Sequence, residues 1–322
     1  IYNTLPYPRN DFIKVILEMP KDFTSKSAEP RSPELFNSFR LFNEEGSEIP
    51  YCILKVEKNM QHPPYRSTDD YHICLRPKLK SASANLIRLE ASPLPHRDFR
   101  SMRTSKQEAE NEFLKISFNS NGTFNITDKE SGRLYTALND FAIDRESGDG
   151  WYNCPPPGNK LITDSSSAQI QINIDSEELI EFEVVRYYRA PRELLFSATV
   201  NAVYKGTELS DEEETLIIKT RISMEKTSRI LKAETEICNN IKDYRLRLII
   251  PTGICGKYLA GQSFHFLERS PGRNSGEESI RRTELEALEK NFSGMIGKQN
   301  EQGGLFFRSE EHTSELQSPN TI

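Results

Sequence analysis

Over much of its length this sequence alternates apolar residues with Lys, Arg, Glu or Thr in runs too short for long helices. That period of two restricts the chain to antiparallel sheets with one face in a core and the other in water. The runs Gln169 to Ile174, Leu179 to Tyr188, Leu194 to Tyr204, Thr215 to Met224, Leu231 to Cys238 and Tyr244 to Ile250 are predicted strands. Ahead of them, Phe113 to Phe118, Asn121-Gly122 and Thr123 to Ile126 spell a hairpin, because an Asn-Gly pair accepts the positive φ that a tight turn demands. Asp128 to Gly132 supplies the next turn. The outcome expected for residues 113–307 is a large β-sandwich of stacked sheets. One window departs from the pattern: Ser279 to Lys290 is rich in helix formers with a thin apolar stripe of Ile280, Leu285 and Leu288, which predicts a helical insertion.

The first 96 residues repeat the pattern on a smaller scale. Apolar or alternating runs at Phe12 to Leu17, Phe39 to Phe42, Tyr51 to Val56, Tyr71 to Leu75 and Ala84 to Leu89 are separated by Pro-, Ser- and Asn-rich breakers, the signature of a small β-sandwich. Residues 97–112 turn charged and lose apolar periodicity, so they are read as a linker. The fold class is therefore all-β, with a small β-sandwich followed by a larger one.

Composition narrows the function classes. Hydrophobic residues make up 36% and charged residues 28%, which is ordinary for a folded chain. A formal net charge of -6 argues against nucleic acid or an anionic membrane surface as a partner, and no run approaches the roughly 20 apolar residues of a membrane-spanning helix. A homo-oligomer is compatible with this composition. The cysteines at 52, 74, 154, 238 and 255 are widely spaced, odd in number and without a CxxC pair, which predicts reduced thiols and a cytoplasmic location. His62, His72, His96 and His265 are equally scattered, so no metal-ligand cluster is legible. Residues 308–322 contain RSEEHTSELQS from Arg308 to Ser318, which reads as a translated sequencing-library adapter, with index sequence after it. The chain also lacks an initial Met, and both ends are expected to be truncations.

One loop stands apart. Ser147 to Pro157 (SGDGWYNCPPP) holds the sole tryptophan, flanked by glycines that admit close approach and prolines that stiffen the backbone. An aromatic platform beside a carboxylate is suited to stacking on a sugar ring and hydrogen-bonding its hydroxyls. The alternative is a loop packed on a sandwich edge or on another domain. The acidic clusters Glu177-Glu178, Asp211 to Glu214 and Glu277-Glu278 are read as solvated loop charge, and His265 as structural. Asp243, Arg245 and Arg247 are expected to form a turn and a charged strand face.

Three stretches carry a family resemblance. Tyr2 to Arg9 (YNTLPYPR) is similar to an "N-P-L-x-x-x-R" opening, with Thr4 in the place of Pro. Glu112 to Pro157, from EFLKISFNSNGTFNITDKESG to GDGWYNCPPP, resembles a hairpin followed by a "G-D-x-Y-x-y-x-P-P" loop. Asn239 to Pro251 (NNIKDYRLRLIIP) resembles "N-x-x-k-D-H-R-L-R-v-x-f-p", with Tyr244 in place of His. In this order they resemble the β-rich C-terminal half of family 38 glycoside hydrolases, the α-mannosidases and mannosylglycerate hydrolases.

The resemblance implies that the larger sandwich is galactose-mutarotase-like and sits against a preceding catalytic barrel that is absent here. In the family that barrel holds the zinc and both catalytic carboxylates, so the resemblance implies a zinc-dependent parent enzyme acting on an α-mannoside, with no catalytic or metal residue in this chain. It also implies that the 147–157 loop reaches the rim of the pocket, with Asp149, Trp151 and Tyr152 as substrate-binding residues and Trp151 where the family usually has Tyr. From a different class, a stand-alone carbohydrate-binding or adhesion β-sandwich fits the same residues. The sequence upstream of Ile1 discriminates the two.

Overall fold

A computed structural model describes residues 1–20, 39–58, 68–92, 100–146, 168–195, 208–271 and 290–309. Among the described residues the secondary structure is all strand, in antiparallel pairs wherever the register is defined. The chain divides into two compact units: Ile1–Glu112 with Gln171–Glu183 and Arg221–Glu234, and Phe113–Ile170 with Val184–Thr220 and Thr235–Ile322.

In the first unit, Ile13–Pro20, Thr68–Leu75 and Tyr51–Glu57 form a sheet in that order, and Glu48–Ile49, Phe39–Phe42 and Arg88–Ala91 form another. Alternation places Met19, Tyr51, Ile73 and Leu75 from one sheet and Phe39, Leu41 and Ile49 from the other in a single core. Each of these side chains contributes about 1.5–3 kcal/mol by leaving water. The centre is an aromatic pair: the rings of Phe39 and Tyr51 stack at 4.7 Å, and the Tyr51 hydroxyl donates to the Phe39 carbonyl at 2.7 Å. That bond satisfies a phenol whose pKa burial pushes far above its ordinary range.

The small sandwich differs from its sequence reading in two places. Ala84 to Leu89 is not continuous; Ser83–Ala84 and Arg88–Ala91 are separate strands. Asn85 divides them, because its side-chain oxygen accepts from the Lys80 N–H at 2.7 Å and its amide donates to the Ser83 carbonyl at 3.1 Å, competing with the ladder. Residues 97–112, read as linker, contain the antiparallel pair Arg103–Ser105 and Glu108–Glu110. Only Ala109 of this hairpin and the neighbouring Met102 are buried apolar anchors, too few for a visible period.

The second unit opens with the predicted hairpin. Leu114–Phe118 pairs with Phe124–Asp128, Leu114 opposite Asp128 and Phe118 opposite Phe124, and Leu134–Leu138 extends the sheet. Gly122 takes φ +84° at the turn, and its N–H donates to the Asn119 carbonyl at 2.9 Å. The long strands Leu179–Pro191 and Glu213–Glu225 lie between Gln169–Asp175 and Leu231–Cys238 in a four-stranded sheet. Along Glu213–Glu225, Leu216, Ile218, Thr220, Ile222 and Met224 alternate inward, as the sequence pattern predicts. A second core gathers Phe141, Ile143, Tyr188, Ala190, Leu216, Ile218 and Ile241.

Two further expectations fall largely outside the described residues. Leu194 makes an isolated bridge to Leu209 and does not start a strand within the described residues; 196–207 lie outside them, as does the predicted helical window at 279–289. Past Pro251, the order Phe266–Arg269, Tyr258–Gly261, Met295–Asn300, Gly303–Arg308 makes a four-stranded sheet, with Arg308 paired to Met295.

Candidate functional site

The candidate loop residues Asp149, Trp151 and Tyr152 fall within 147–167, outside the described residues. The described residues on either side of that segment fix where it leaves and rejoins the second unit. Strand Asp140–Arg145 leads into it and pairs along its whole length with Tyr244–Ile249, from Asp140 opposite Ile249 to Arg145 opposite Tyr244. Two of the three family-like stretches are thereby hydrogen-bonded to each other.

At the leaving end, the Glu146 N–H donates to the carbonyl of Asp243 at 2.8 Å. Asp243 adopts φ +65°, a left-handed conformation that an aspartate tolerates better than most side chains. Its carboxylate accepts from the Leu194 N–H at 3.1 Å, which locks the turn. Arg247, opposite Ala142 in the ribbon, forms an ion pair with Asp144. The expected turn and charged strand face at Asp243 and Arg247 are therefore observed, with the added role of holding the leaving end of the loop. At the rejoining end, the Ala168 N–H donates to the carbonyl of Ser120 at 3.0 Å, in the Asn-Gly turn.

Beneath that turn lies a residue that sequence reading did not single out. Arg186 is 1% exposed; its Nε donates to the Asn121 carbonyl at 3.0 Å, and its guanidinium lies 5.4 Å from the centre of the Phe141 ring. Neither terminal nitrogen has a hydrogen-bond partner among the described residues. Burial pushes the guanidinium pKa below its ordinary value, opposed by Tyr188 and Asp140. A signal was present in the sequence: period two puts Arg186 on the same face as Phe182, Val184 and Tyr188, all buried.

The acidic clusters at 177–178 and 211–214 include carboxylates already bound by cations. Retaining glycoside hydrolysis takes two carboxyl groups about 5 Å apart, one to attack and one to protonate. Glu177 is bound by Lys226 and, at 2.6 Å, by Arg100; Glu178 is bound by Arg76 at 2.6 Å; Glu212 pairs with Arg192 at 3.0 Å. Glu277 and Glu278 lie outside the described residues. His265 is exposed in the turn before Phe266–Arg269, where its carbonyl accepts from Gln262, so it is not within a strand. His72 lies 3.6 Å from Glu57. No group of three or more His, Cys, Asp or Glu among the described residues has metal-holding geometry, and these residues do not fit a zinc site.

Comparison with known proteins gives the geometry its context. No family model matches the sequence. A Halalkalibacterium halodurans protein named for mannosylglycerate hydrolase is 24% identical over 173 residues, which is 51% of this chain and 19% of that protein. Two Enterococcus faecalis crystal structures, one of a protein in glycosyl hydrolase family 38 and one of an α-mannosidase, each match 93% of this chain and 36% of their own length. Their TM-scores are 0.66 and 0.63, at 18% and 17% identity. The chain spans about a third of each solved structure and about a fifth of the curated relative. Over nearly all its length, this chain has the fold of a β-rich part of the family 38 glycosyl hydrolase structures.

Proposed function

We propose that this chain is the non-catalytic C-terminal β half of a zinc-dependent, retaining α-mannosidase of glycoside hydrolase family 38. In this reading a small sandwich is followed by a galactose-mutarotase-like sandwich that supports a catalytic barrel encoded elsewhere in the parent protein. Asp149, Trp151 and Tyr152 line the rim of the barrel's pocket. The observation that carries the reading is the fold match over 93% of this chain against only 36% of the α-mannosidase structure, which leaves most of such an enzyme outside the chain.

The local geometry supports the same role. A rim loop needs fixed flanks, and Glu146 and Ala168, which flank 147–167, donate main-chain hydrogen bonds to turns at Asp243 and Ser120. In this reading the catalytic carboxylates and the zinc belong to the proposed barrel. The substrate class is an α-linked mannoside, mannosylglycerate among its members.

The test has two arms. Purified chain with added zinc is expected to leave an aryl α-mannoside intact. A clone extended upstream of Ile1 is expected to encode a barrel with His/Asp motifs and a helical bundle, and to hydrolyse that substrate. Hydrolysis by the chain alone, or upstream sequence made of further sandwich repeats behind a signal peptide, would overturn the reading in favour of an independent activity or an adhesin.

A further inference from the structure

Cys52 and Cys74 stand directly opposite each other across the antiparallel pair Tyr51–Glu57 and Thr68–Leu75. Opposed residues in such a pair project to the same face with Cβ atoms about 4.5–5.5 Å apart, and a disulfide takes them at about 3.5–4.5 Å. An approach of about an ångström therefore suffices. A bulge between Ile53 and Lys55 follows immediately and loosens the register of that strand. Tyr51, Ile73 and Leu75 point to the opposite face, into the core cluster, so closing the pair leaves that cluster in place. Neither cysteine is in a disulfide; Cys74 is fully buried and Cys52 half-buried. Spacing in the sequence conceals this pair, since 21 residues intervene and neither cysteine belongs to a short motif.

We propose that Cys52 and Cys74 are a redox-active dithiol that closes to a cross-strand disulfide by exchange with a low-molecular-weight disulfide of the glutathione class. Cys52, the solvent-reachable thiol, loses its proton and attacks one sulfur of the small disulfide. A mixed disulfide forms, and the first small thiolate leaves and takes up a proton. Cys74 then loses its proton and attacks the Cys52 sulfur, closing the protein disulfide and releasing the second small thiol. Two cysteine thiols are oxidised and one small disulfide is reduced to two thiols. The order follows from the environment: contact with Cys52 and burial both push the Cys74 thiol up, so it reacts second and slowly.

The experiment exposes the full chain to graded ratios of oxidised to reduced glutathione, quenches with acid, alkylates after denaturation and maps the peptides by mass. The expected result is a linked Cys52–Cys74 peptide pair, lighter by two hydrogens and protected from alkylation, that returns to two alkylated peptides on reduction. The exposed Cys238 and Cys255 report the general oxidation level of the sample. In Cys52→Ser, at a half-buried position tolerant of the change, Cys74 is expected to be recovered as a free thiol. The proposal is overturned if wild-type Cys52 ends as a glutathione adduct with Cys74 free. It is also overturned if both are recovered alkylated where Cys238 or Cys255 is already oxidised.

Discussion

Arg186 and Gly122 are held within van der Waals contact: a Cβ built on Gly122 would lie 2.7 Å from Arg186 Nε, and equally close to Val184 and Ala168. Gly122 is thus fixed twice, by φ +84° and by the side chains under the turn. Gly122→Ala is expected to lower stability by about 2–4 kcal/mol, the sum of left-handed strain and overpacking. Gly46 has φ +80° with nothing within 4 Å of a built Cβ, so Gly46→Ala should show only the strain part, about 1 kcal/mol. Equal urea midpoints for the two variants would refute the packing argument.

The same guanidinium supports a prediction of opposite sign. Replacing Arg186 by Met keeps a long side chain over Phe141 and removes a buried charge whose terminal nitrogens have no hydrogen-bond partner among the described residues. Relief of that charge is worth about 1–4 kcal/mol, against about 0.5–1.5 kcal/mol for the lost bond to Asn121. Arg186→Met is therefore expected to unfold at the same or a higher urea concentration than wild type. A loss of 3 kcal/mol or more, the cost of breaking a satisfied buried pair, would show that the guanidinium has a partner in solution.

The small sandwich contains a pH-dependent surface pair. Lys80 bonds Glu44 at 2.6 Å, which holds the Glu44 carboxyl below its ordinary range, and Glu44 with Glu45 raises the Lys80 ammonium. A depressed carboxyl contributes stability above its unfolded pKa and loses it as pH falls through the folded value. A raised ammonium contributes below its unfolded pKa and loses it as pH rises through the folded one. The coupling is therefore present between roughly pH 4 and 10. A Glu44→Gln, Lys80→Met double-mutant cycle should show a small favourable coupling at pH 7 that vanishes at pH 2.5 and in 1 M salt. Coupling that persists at pH 2.5 would mean the bond does not depend on the carboxylate charge.

Where local chemistry decided the structure, it was readable in advance. The Asn-Gly hairpin and the alternation of Leu216, Ile218, Ile222 and Met224 depend on neighbours a few residues away, and they appear as predicted. The individual strands of the sheet from Tyr258 to Arg308 are not spelled out by alternation, for a non-local reason. Gly261 and Gly297 lie inside its strands, where a side chain at Gly261 would meet the Ser293 and Met295 carbonyls and one at Gly297 the Phe306 ring. In the sequence such glycines read as breakers; in the fold they permit close approach. The same limit applies to the site: the loop composition was visible, but its anchoring at Asp243 and Ser120 depends on partners 97 and 48 residues distant.

The loop itself carries the last prediction. Trp151 is the sole tryptophan, framed by glycines and prolines in a segment whose flanking residues, Glu146 and Ala168, are hydrogen-bonded within the second unit. If it meets the sugar at the pocket rim, Trp151→Ala in the parent enzyme removes a contact worth on the order of 1–2 kcal/mol, and kcat/KM falls about 5- to 30-fold. Thermal unfolding of the variant chain should then stay within about 1 kcal/mol of wild type, because a rim residue contributes little to the core. A core tryptophan behaves in the opposite way, with truncation costing roughly 3–5 kcal/mol of stability. Kinetics and unfolding must be measured on the same substitution, since either alone is ambiguous. A large fall in melting temperature with unchanged kcat/KM in the surviving folded enzyme would place Trp151 in a core and remove this loop from the substrate site.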